Sequence, residues 1–374
     1  MARDYRVVSV GTHVNPLPSM WAERIAPEYR DRAPRPVRRA HQELGEVETI
    51  LFEGMEQRFN LVSADAGRPS PDVVPQGRTF SDGLRGGWDP AARLFDQDRD
   101  GVDADVIFDG VTPLSTPDLG LKHAMIRAYN DWLADFCATA PDRLVGVAYL
   151  PVWDADLAVV EARRARKLGL HGALVPTIPG RETPYAMPSE HQYNSPFWEP
   201  LWNVLEELEM PAHIHVDGGP LAKEFAGDTI VLMSVNKTMM CEPITILTCC
   251  GVLERHPKLK LVSVESGVGW MAWFVPWLDL VFERHRHYTG YALKEPPSYY
   301  FHRQVYGTYI QDVVGVRTRD VTGVGNIMWG NDYPHVDGIW PDSQASIEEH
   351  MAGVPADERH AILAGNAVKL YGLG

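Results

Sequence analysis

The sequence predicts an α/β fold, a (β/α)8 TIM barrel, from three observations. Past about residue 100, short β-rich runs alternate with helical patterns, the signature of βα units around a parallel sheet. Counting those runs together with one near the amino terminus gives eight strands, the number that closes such a barrel. No G-x-G-x-x-G follows the first strand, where a doubly wound open sheet, the main rival, usually carries its phosphate-binding loop.

"YRVVSVGTH" is the first strand. The region from about residue 17 to about residue 100 is rich in Pro, Gly and charge and breaks the repeat. It reads as an inserted cap after strand one, of the kind that covers a barrel mouth and shapes a pocket. "ADVIFDG" is the next strand, followed by the amphipathic helix "LKHAMIRAYNDWLADFCATA", whose Met125, Ala128, Trp132 and Phe136 recur every three or four residues. "RLVGVAYLPV" and the helix "DLAVVEARRARKLG" come next, with Gly169 as the helix stop. The strands "HGALVPT", "PAHIHVDGG" and "LKLVSVESGVG" then alternate with the helices "FWEPLWNVLEELEM" and "TILTCCGVLERHP". "VYGTYIQD" is the least distinct strand, "NIMWGNDYPH" the last, and "DERHAILAGNAVKLYGL" a closing helix. Residues 1–374 thus read as one barrel domain.

With 45% hydrophobic and 23% charged residues, the composition is that of a compact soluble globule. No apolar run approaches the roughly 20 residues of a membrane helix, and the four-residue apolar run in "MARDYRVVSV" is too short for a secretory signal. The expectation is a cytoplasmic protein that starts at or near Met1. A net charge of −15 argues against nucleic acid or an anionic membrane as partner and leaves small molecules. Cys137, Cys241, Cys249 and Cys250 show no C-x-x-C spacing, so neither a zinc cluster nor a disulfide scaffold is indicated. Eleven tryptophans leave room for an aromatic interface, and a homodimer is an open expectation.

A parallel barrel keeps its chemistry at the C-terminal ends of its strands. Four such ends carry ligand-type side chains: His13, His215, Glu265 and Asp332. Neutral imidazole and carboxylate are the donors of zinc and its divalent neighbours, and such an ion activates water or polarises a substrate oxygen. Each residue alone has a plainer reading. A lone buried histidine is more often a hydrogen-bonded core residue, and Asp332 could form the turn before Tyr333 and Pro334. The joint placement at four strand ends favours the metal site. His335 and Trp88 are candidates to line the pocket, with turn capping and barrel packing as their alternatives. The run "ERHRHY" reads as a solvated face, because residues two apart on a helix diverge.

The segments "GTHVNP", "AYNDWLADFCATAPDRLVGVAYLP", "PAHIHVDGG", "HPKLKLVSVESGVGW", "IMWGNDYPH" and "ILAGNAVKLYGL" resemble the amidohydrolase-related (amidohydrolase 2) TIM-barrel family. That family includes aminocarboxymuconate semialdehyde decarboxylase and the resorcylate-type decarboxylases. The resemblance implies one metal, often zinc, held by two residues two apart on strand one, a histidine on strand five and an aspartate on strand eight. A histidine near strand six is the usual acid or base. By position, His13 matches the second member of the strand-one pair, His215 the strand-five histidine and Asp332 the strand-eight aspartate. Two positions depart: Gly11 stands at the first ligand, and Glu265 stands at the catalytic histidine.

Three residues are available to replace the missing donor. They are Glu265, then His213, two before His215, then Asn15, two after His13. His213 has the alternative of a deeper core layer. Glu265 faces two competing roles, since a proton carrier needs a raised pKa and a nearby cation lowers it.

The expected function is a metal-dependent lyase that decarboxylates a small aromatic or unsaturated acid, with catalytic Glu265 and Asp332 and one divalent ion, zinc first and manganese second. Two alternatives stay open. One is a metal-dependent hydrolase that uses activated water on an ester, lactone, amide or C–C bond. The other, motivated by Gly11, is a metal-free barrel enzyme or binding protein.

Overall fold

The computed structural model describes residues 3–110, 116–179, 191–216, 229–289 and 293–374. Its first strand is β1 (Val8–Val14), followed by β2 (Arg35–His41), β3 (Gly45–Phe52) and β4 (Met55–Arg58). Then come β5 (Ala104–Asp109), β6 (Leu144–Tyr149), β7 (Gly172–Val175), β8 (Ala212–His215), β9 (Leu261–Val264), β10 (Val305–Tyr309) and β11 (Ile327–Trp329). Eight strands make one parallel sheet in the order β1-β5-β6-β7-β8-β9-β10-β11. β5 sits beside β1, and from β6 onward each strand sits beside its predecessor in the chain, as successive βα units require.

The seam between β11 and β1 closes through close backbone approach. A Cβ on Gly330 would stand 2.4 Å from the Val10 carbonyl oxygen. The Asn331 amide donates to Ser9 Oγ at 2.9 Å, and the His13 amide donates to the Tyr333 carbonyl at 2.6 Å. The result is a nearly closed (β/α)8 barrel, and all eight strands expected from the sequence are present.

Val8 and Val10, Val106 and Phe108, Val145 and Val147, and Val262 and Val264 form one buried cluster inside the barrel. Their spacing is the two-residue period of strands. Ile107, Leu144 and Ala148 face the other way and pack with Leu121, Met125 and Ala128 of the helix Leu119–Ala138. Asp118 starts that helix by accepting from the Gly120 and Leu121 amides. Each fully buried Val or Leu contributes about 1.5–3 kcal/mol, so the alternation itself fixes which face turns inward.

β1 breaks this alternation at one point. Val10 pairs with Val106, but Thr12 pairs with Ile107 and His13 with Phe108. Gly11, at φ +107°, is therefore the extra residue of a β-bulge. Without it His13 would share the helix-facing side with Ile107; with it, His13 turns into the barrel beside Phe108.

Between β1 and β5, β2, β3 and β4 form a separate antiparallel sheet. The following segment meets the ends of two barrel strands. Asn15 Nδ2 donates to the Ser63 carbonyl at 2.8 Å, the Ala66 amide to the Pro334 carbonyl at 3.0 Å, and the Val336 amide to the Val62 carbonyl at 2.9 Å. The segment ends in the helix Pro90–Asp100, capped by Asp89 and stopped by Gly101 at φ +69°. That helix buries Arg93, Gln97 and Asp100 and occupies the place of the repeat's first helix. Among the described residues no helix is long and apolar enough to cross a membrane.

Candidate metal centre

His13 lies near the end of β1, His215 ends β8, Glu265 follows β9, and Asp332 follows β11 by three residues. Glu265 and Asp332 have φ of +57° and +55°, a left-handed conformation that costs a residue with a Cβ about 1–3 kcal/mol. Local bonds hold each turn. The Glu265 amide donates to Thr308 Oγ1 at 2.7 Å, and the Lys237 ammonium donates to the Glu265 carbonyl. The Tyr333 amide donates to Asn331 Oδ1 at 3.2 Å, and the His335 amide to the Asp332 carbonyl at 2.8 Å.

These turns aim the four side chains at one another. His13 Nε2 is 2.7 Å from Glu265 Oε1 and 3.4 Å from Asp332 Oδ1, and His215 Nε2 is 3.0 Å from the same Glu265 oxygen. His335 Nδ1 is 2.9 Å from Asp332 Oδ1, and its ring stacks on His13 at 3.9 Å. Ligand atoms of His13, Glu265, Asp332 and His335 all lie within 4.8 Å of one another. His13, Glu265 and Asp332 are 1%, 6% and 3% exposed, so water screens little of this charge.

Both imidazoles are oriented from behind. His13 Nδ1 is 2.7 Å from the Asp109 carbonyl, and His215 Nδ1 is 2.7 Å from the Val216 carbonyl. A carbonyl only accepts, so each Nδ1 carries a proton and each Nε2 faces the cluster. An Nε2 lying 2.7 or 3.0 Å from a carboxylate oxygen needs a cation between the two, a proton or a metal ion. Among the described residues, His215 Nε2 and Asp332 Oδ1 are buried without a hydrogen-bond partner.

A proton on His13 answers part of this charge. Burial works against it, but the Glu265 and Asp332 carboxylates outweigh burial and raise His13 to about 10. Burial also opposes ionisation of Glu265, yet His215 and His13 hold its carboxyl well below the usual range. One proton against two carboxylates still leaves a deficit, which a divalent cation matches. The donor set and its orphaned atoms therefore fit such an ion.

Gly11 belongs to the same construction. A Cβ there would stand 3.1 Å from Glu265 Oε1 and 3.2 Å from its Cγ. The Glu265 side chain thus fills the space beside the residue that supplies no donor.

Other residues named from the sequence lie apart. His213 does face the barrel interior, but its Nε2 meets Tyr371 Oη at 2.8 Å and its ring packs edge-on to Phe108. Burial pushes its pKa down to about 3, so it stays neutral. Asn15 is buried, with its amide spent on the Ser63 carbonyl, and Trp88 is half-buried after the turn Arg85–Gly87. His285 of "ERHRHY" is exposed, and its ring meets Tyr288.

Two contributors were absent from the sequence reading. Lys237 lies beside Glu265 on the wall of a cavity of about 420 Å3, which Met233, Ile310, Gln311 and Asp337 also line. Arg93 is fully buried, with Nε 2.6 Å from Asp105 Oδ2 and Nη1 donating to the His13 carbonyl at 2.8 Å. Its guanidinium sits 4.4 Å over the Tyr333 ring, so one cation braces the residues beside both His13 and Asp332. Neither follows from strand-end position. The one available signal was the polar set Arg93, Gln97 and Asp100 on a single helical face.

The barrel carries its histidine-carboxylate cluster at the C-terminal ends of its strands, and the chain belongs to the amidohydrolase family, whose model matches residues 13–373. A gamma-resorcylate decarboxylase from Rhodococcus jostii (strain RHA1) is 31% identical over 173 residues, covering 41% of this chain and 50% of that protein. The chain thus spans about half the length of the curated relatives it matches. Among solved structures, an amidohydrolase from Mycobacterium avium subsp. paratuberculosis K-10 superposes with a TM-score of 0.77 at 18% identity, covering both chains fully. A 5-carboxyvanillate decarboxylase from Novosphingobium aromaticivorans DSM 12444, complexed with manganese and 4-hydroxy-3-methoxy-5-nitrobenzoic acid, superposes with a TM-score of 0.69 at 18% identity. That match covers 99% of this chain and 96% of the other. At such identity the structures show a shared fold.

Proposed function

We propose that this protein is a metal-dependent decarboxylase of a small aromatic acid. The observation that carries the proposal is the convergence of His13 Nε2 and His215 Nε2 on one oxygen of Glu265, with Asp332 alongside. His13, His215, Glu265 and Asp332 would hold one divalent ion, and two imidazoles with two carboxylates suit zinc or manganese. The names of the relatives, decarboxylases of resorcylate and carboxyvanillate, support an aromatic acid as substrate. When bound, the ion would polarise a substrate oxygen and stabilise the charge that develops on the ring.

The chain's own groups divide the remaining work. Glu265, held ionised by His215 and His13, acts as donor to the ion and not as proton carrier. His335, 2.9 Å from Asp332 and with a buried Nε2 that has no hydrogen-bond partner among the described residues, is placed to move the proton. A proton added to the ring carbon lets the bond to the carboxylate break, carbon dioxide leaves, and the bonding pair stays with the ring. Lys237, on the pocket wall, supplies positive charge toward an acidic ring.

The test is carbon dioxide release across a panel of hydroxylated benzoates by protein loaded with zinc or manganese, with ester, lactone and amide cleavage measured in parallel. Carbon dioxide from at least one acid, lost in His215→Ala and Asp332→Ala, is the expected result. Cleavage of esters or amides with no carbon dioxide from any acid would turn the site into a hydrolase. Turnover retained in both variants would remove the site assignment.

A further inference from the structure

At the end of the barrel opposite the metal donors, where β8, β9, β10 and β11 begin, lies a cavity of about 570 Å3. Lys258 and Lys260 reach it from the run into β9, Arg303 from the helix Pro297–Gln304, and Lys369 from the helix Asn366–Tyr371. Glu209 is the single carboxylate residue on its wall. Such a concentration is unusual for a chain with 35 basic and 50 acidic residues.

Basic residues nearby have found partners. Arg255 pairs with Glu199, Arg163 with Glu207 and Arg319 with Glu358. None of the four cavity cations pairs with a carboxylate among the described residues. Two of them are held in place by backbone instead. The Lys260 ammonium donates to the Arg303 carbonyl at 2.8 Å, and Arg303 donates from Nη2 to the Leu253 carbonyl and from Nε to Gln304 Oε1, each at 2.7 Å. Burial, and then the charges of Arg303 and Lys369, push the Lys260 ammonium below its ordinary pKa. The Arg303 guanidinium lies over the Tyr299 and Tyr300 rings, and its charge and that of Lys369 act on the Lys260 ammonium; a bound anion would relieve that repulsion. Leu205, Met210 and Tyr306 give part of the remaining wall an apolar face, beside the polar His302 and Asn326. A cavity of this size with some apolar wall and a few charges has the form of a small-molecule site.

We propose that this cavity binds a small organic anion of charge two or more, its charged groups on Lys258, Lys260, Arg303 and Lys369 and its carbon body against Leu205, Met210 and Tyr306. The site is separate from the metal centre and independent of the reaction carried out there. Polycarboxylates and phosphate esters share this chemistry, and the test distinguishes them.

The full-length, metal-loaded protein is titrated calorimetrically at constant ionic strength with citrate, phenyl phosphate and acetate. The expected result is saturable binding of one equivalent of citrate or phenyl phosphate, and none of acetate. Lys260→Gln/Lys369→Gln should weaken it at least tenfold, whereas Lys294→Gln, a surface lysine elsewhere, should not change it. Lys369 is exposed, so Lys369→Gln alone, expected to weaken binding at least threefold, serves if the double variant fails to fold. Absence of saturable binding by both citrate and phenyl phosphate up to millimolar concentration would overturn the proposal. So would unchanged affinity in the lysine variants, or loss of binding in His215→Ala, which would place the anion at the metal centre.

Discussion

Replacing Gly11 by alanine tests the central structural reasoning. The added Cβ meets Glu265 at 3.1 Å from Oε1 and 3.2 Å from Cγ, tighter than ordinary contact, so the glutamate must move by a few tenths of an ångström. The same Oε1 lies 2.7 Å from His13 Nε2 and 3.0 Å from His215 Nε2, so that movement is felt by three of the four proposed donors. The backbone adds strain of its own. A φ of +107° suits glycine, and forcing it on an L-residue costs about 1–3 kcal/mol. For a chain this long, roughly 2.1 cal/mol/K of unfolding entropy per residue converts each kcal/mol into only about 1 °C of Tm. Thermal unfolding should therefore shift by about 1–3 °C. Metal affinity should fall further, by about 10–100-fold, as for other disturbances of ligand orientation. The assay is competition with a chelator of known affinity, read by metal analysis of the protein fraction. A Gly11→Ala protein with the expected Tm loss but metal affinity within twofold of wild type would refute the view that Glu265 is a donor positioned by the room Gly11 leaves.

Three further outcomes are expected. Arg93→Met leaves Asp105 buried without its 2.6 Å partner and should cost about 3–5 kcal/mol, measured by urea unfolding; a loss under about 1 kcal/mol would show that the pair does not brace β1 and β5. His213 is held neutral by burial, at about 3 against an ordinary value near 6.5, so its contribution is complete above about pH 6.5 and declines as pH falls toward 3. In His213→Gln the slope of stability on pH between about 6 and 4 should be smaller by up to about 1.4 kcal/mol per pH unit, and an identical slope would mean that His213 takes up a proton in the fold. Lys237→Met should weaken binding of 2,6-dihydroxybenzoate about tenfold or more and leave resorcinol, which lacks the carboxylate, nearly unchanged; equal losses for both would reduce Lys237 to a brace for the Glu265 turn.

How far the site was legible depended on the kind of rule each residue obeys. His13, His215, Glu265 and Asp332 could be found because barrels expose the residues at strand ends, and a histidine or carboxylate there departs from the apolar run before it. His213 shows the limit of that rule. A period of two puts it on the same face as His215, but two residues along a strand are about 6.6 Å, and at that depth the ring meets Tyr371 and not the carboxylates. The bulge was invisible to a strict alternation. Reading Gly11 and His13 as facing one way treats β1 as regular, whereas the register slips between Val10 and Thr12. Arg93 and Lys237 lie on helices far from the strand ends in sequence, so only tertiary packing brings them to His13 and Glu265.

The bulge also explains why losing a donor at position 11 need not empty the site. A β-bulge needs a residue that tolerates positive φ, and at +107° glycine fills that place at no steric cost. Once glycine is there, the strand can offer only His13, and the absence of a Cβ opens room on the side of β9. Glu265 enters that room from a turn that itself holds a positive φ, a strain that Thr308 and Lys237 bind in place. In the proposed ligand set a carboxylate at position 265 takes the place of a donor at position 11, so the donor that β1 lacks comes from the end of β9. A side chain at position 11 and the Glu265 side chain would press on the same space, so in the proposed ligand set the two departures from the family pattern are coupled.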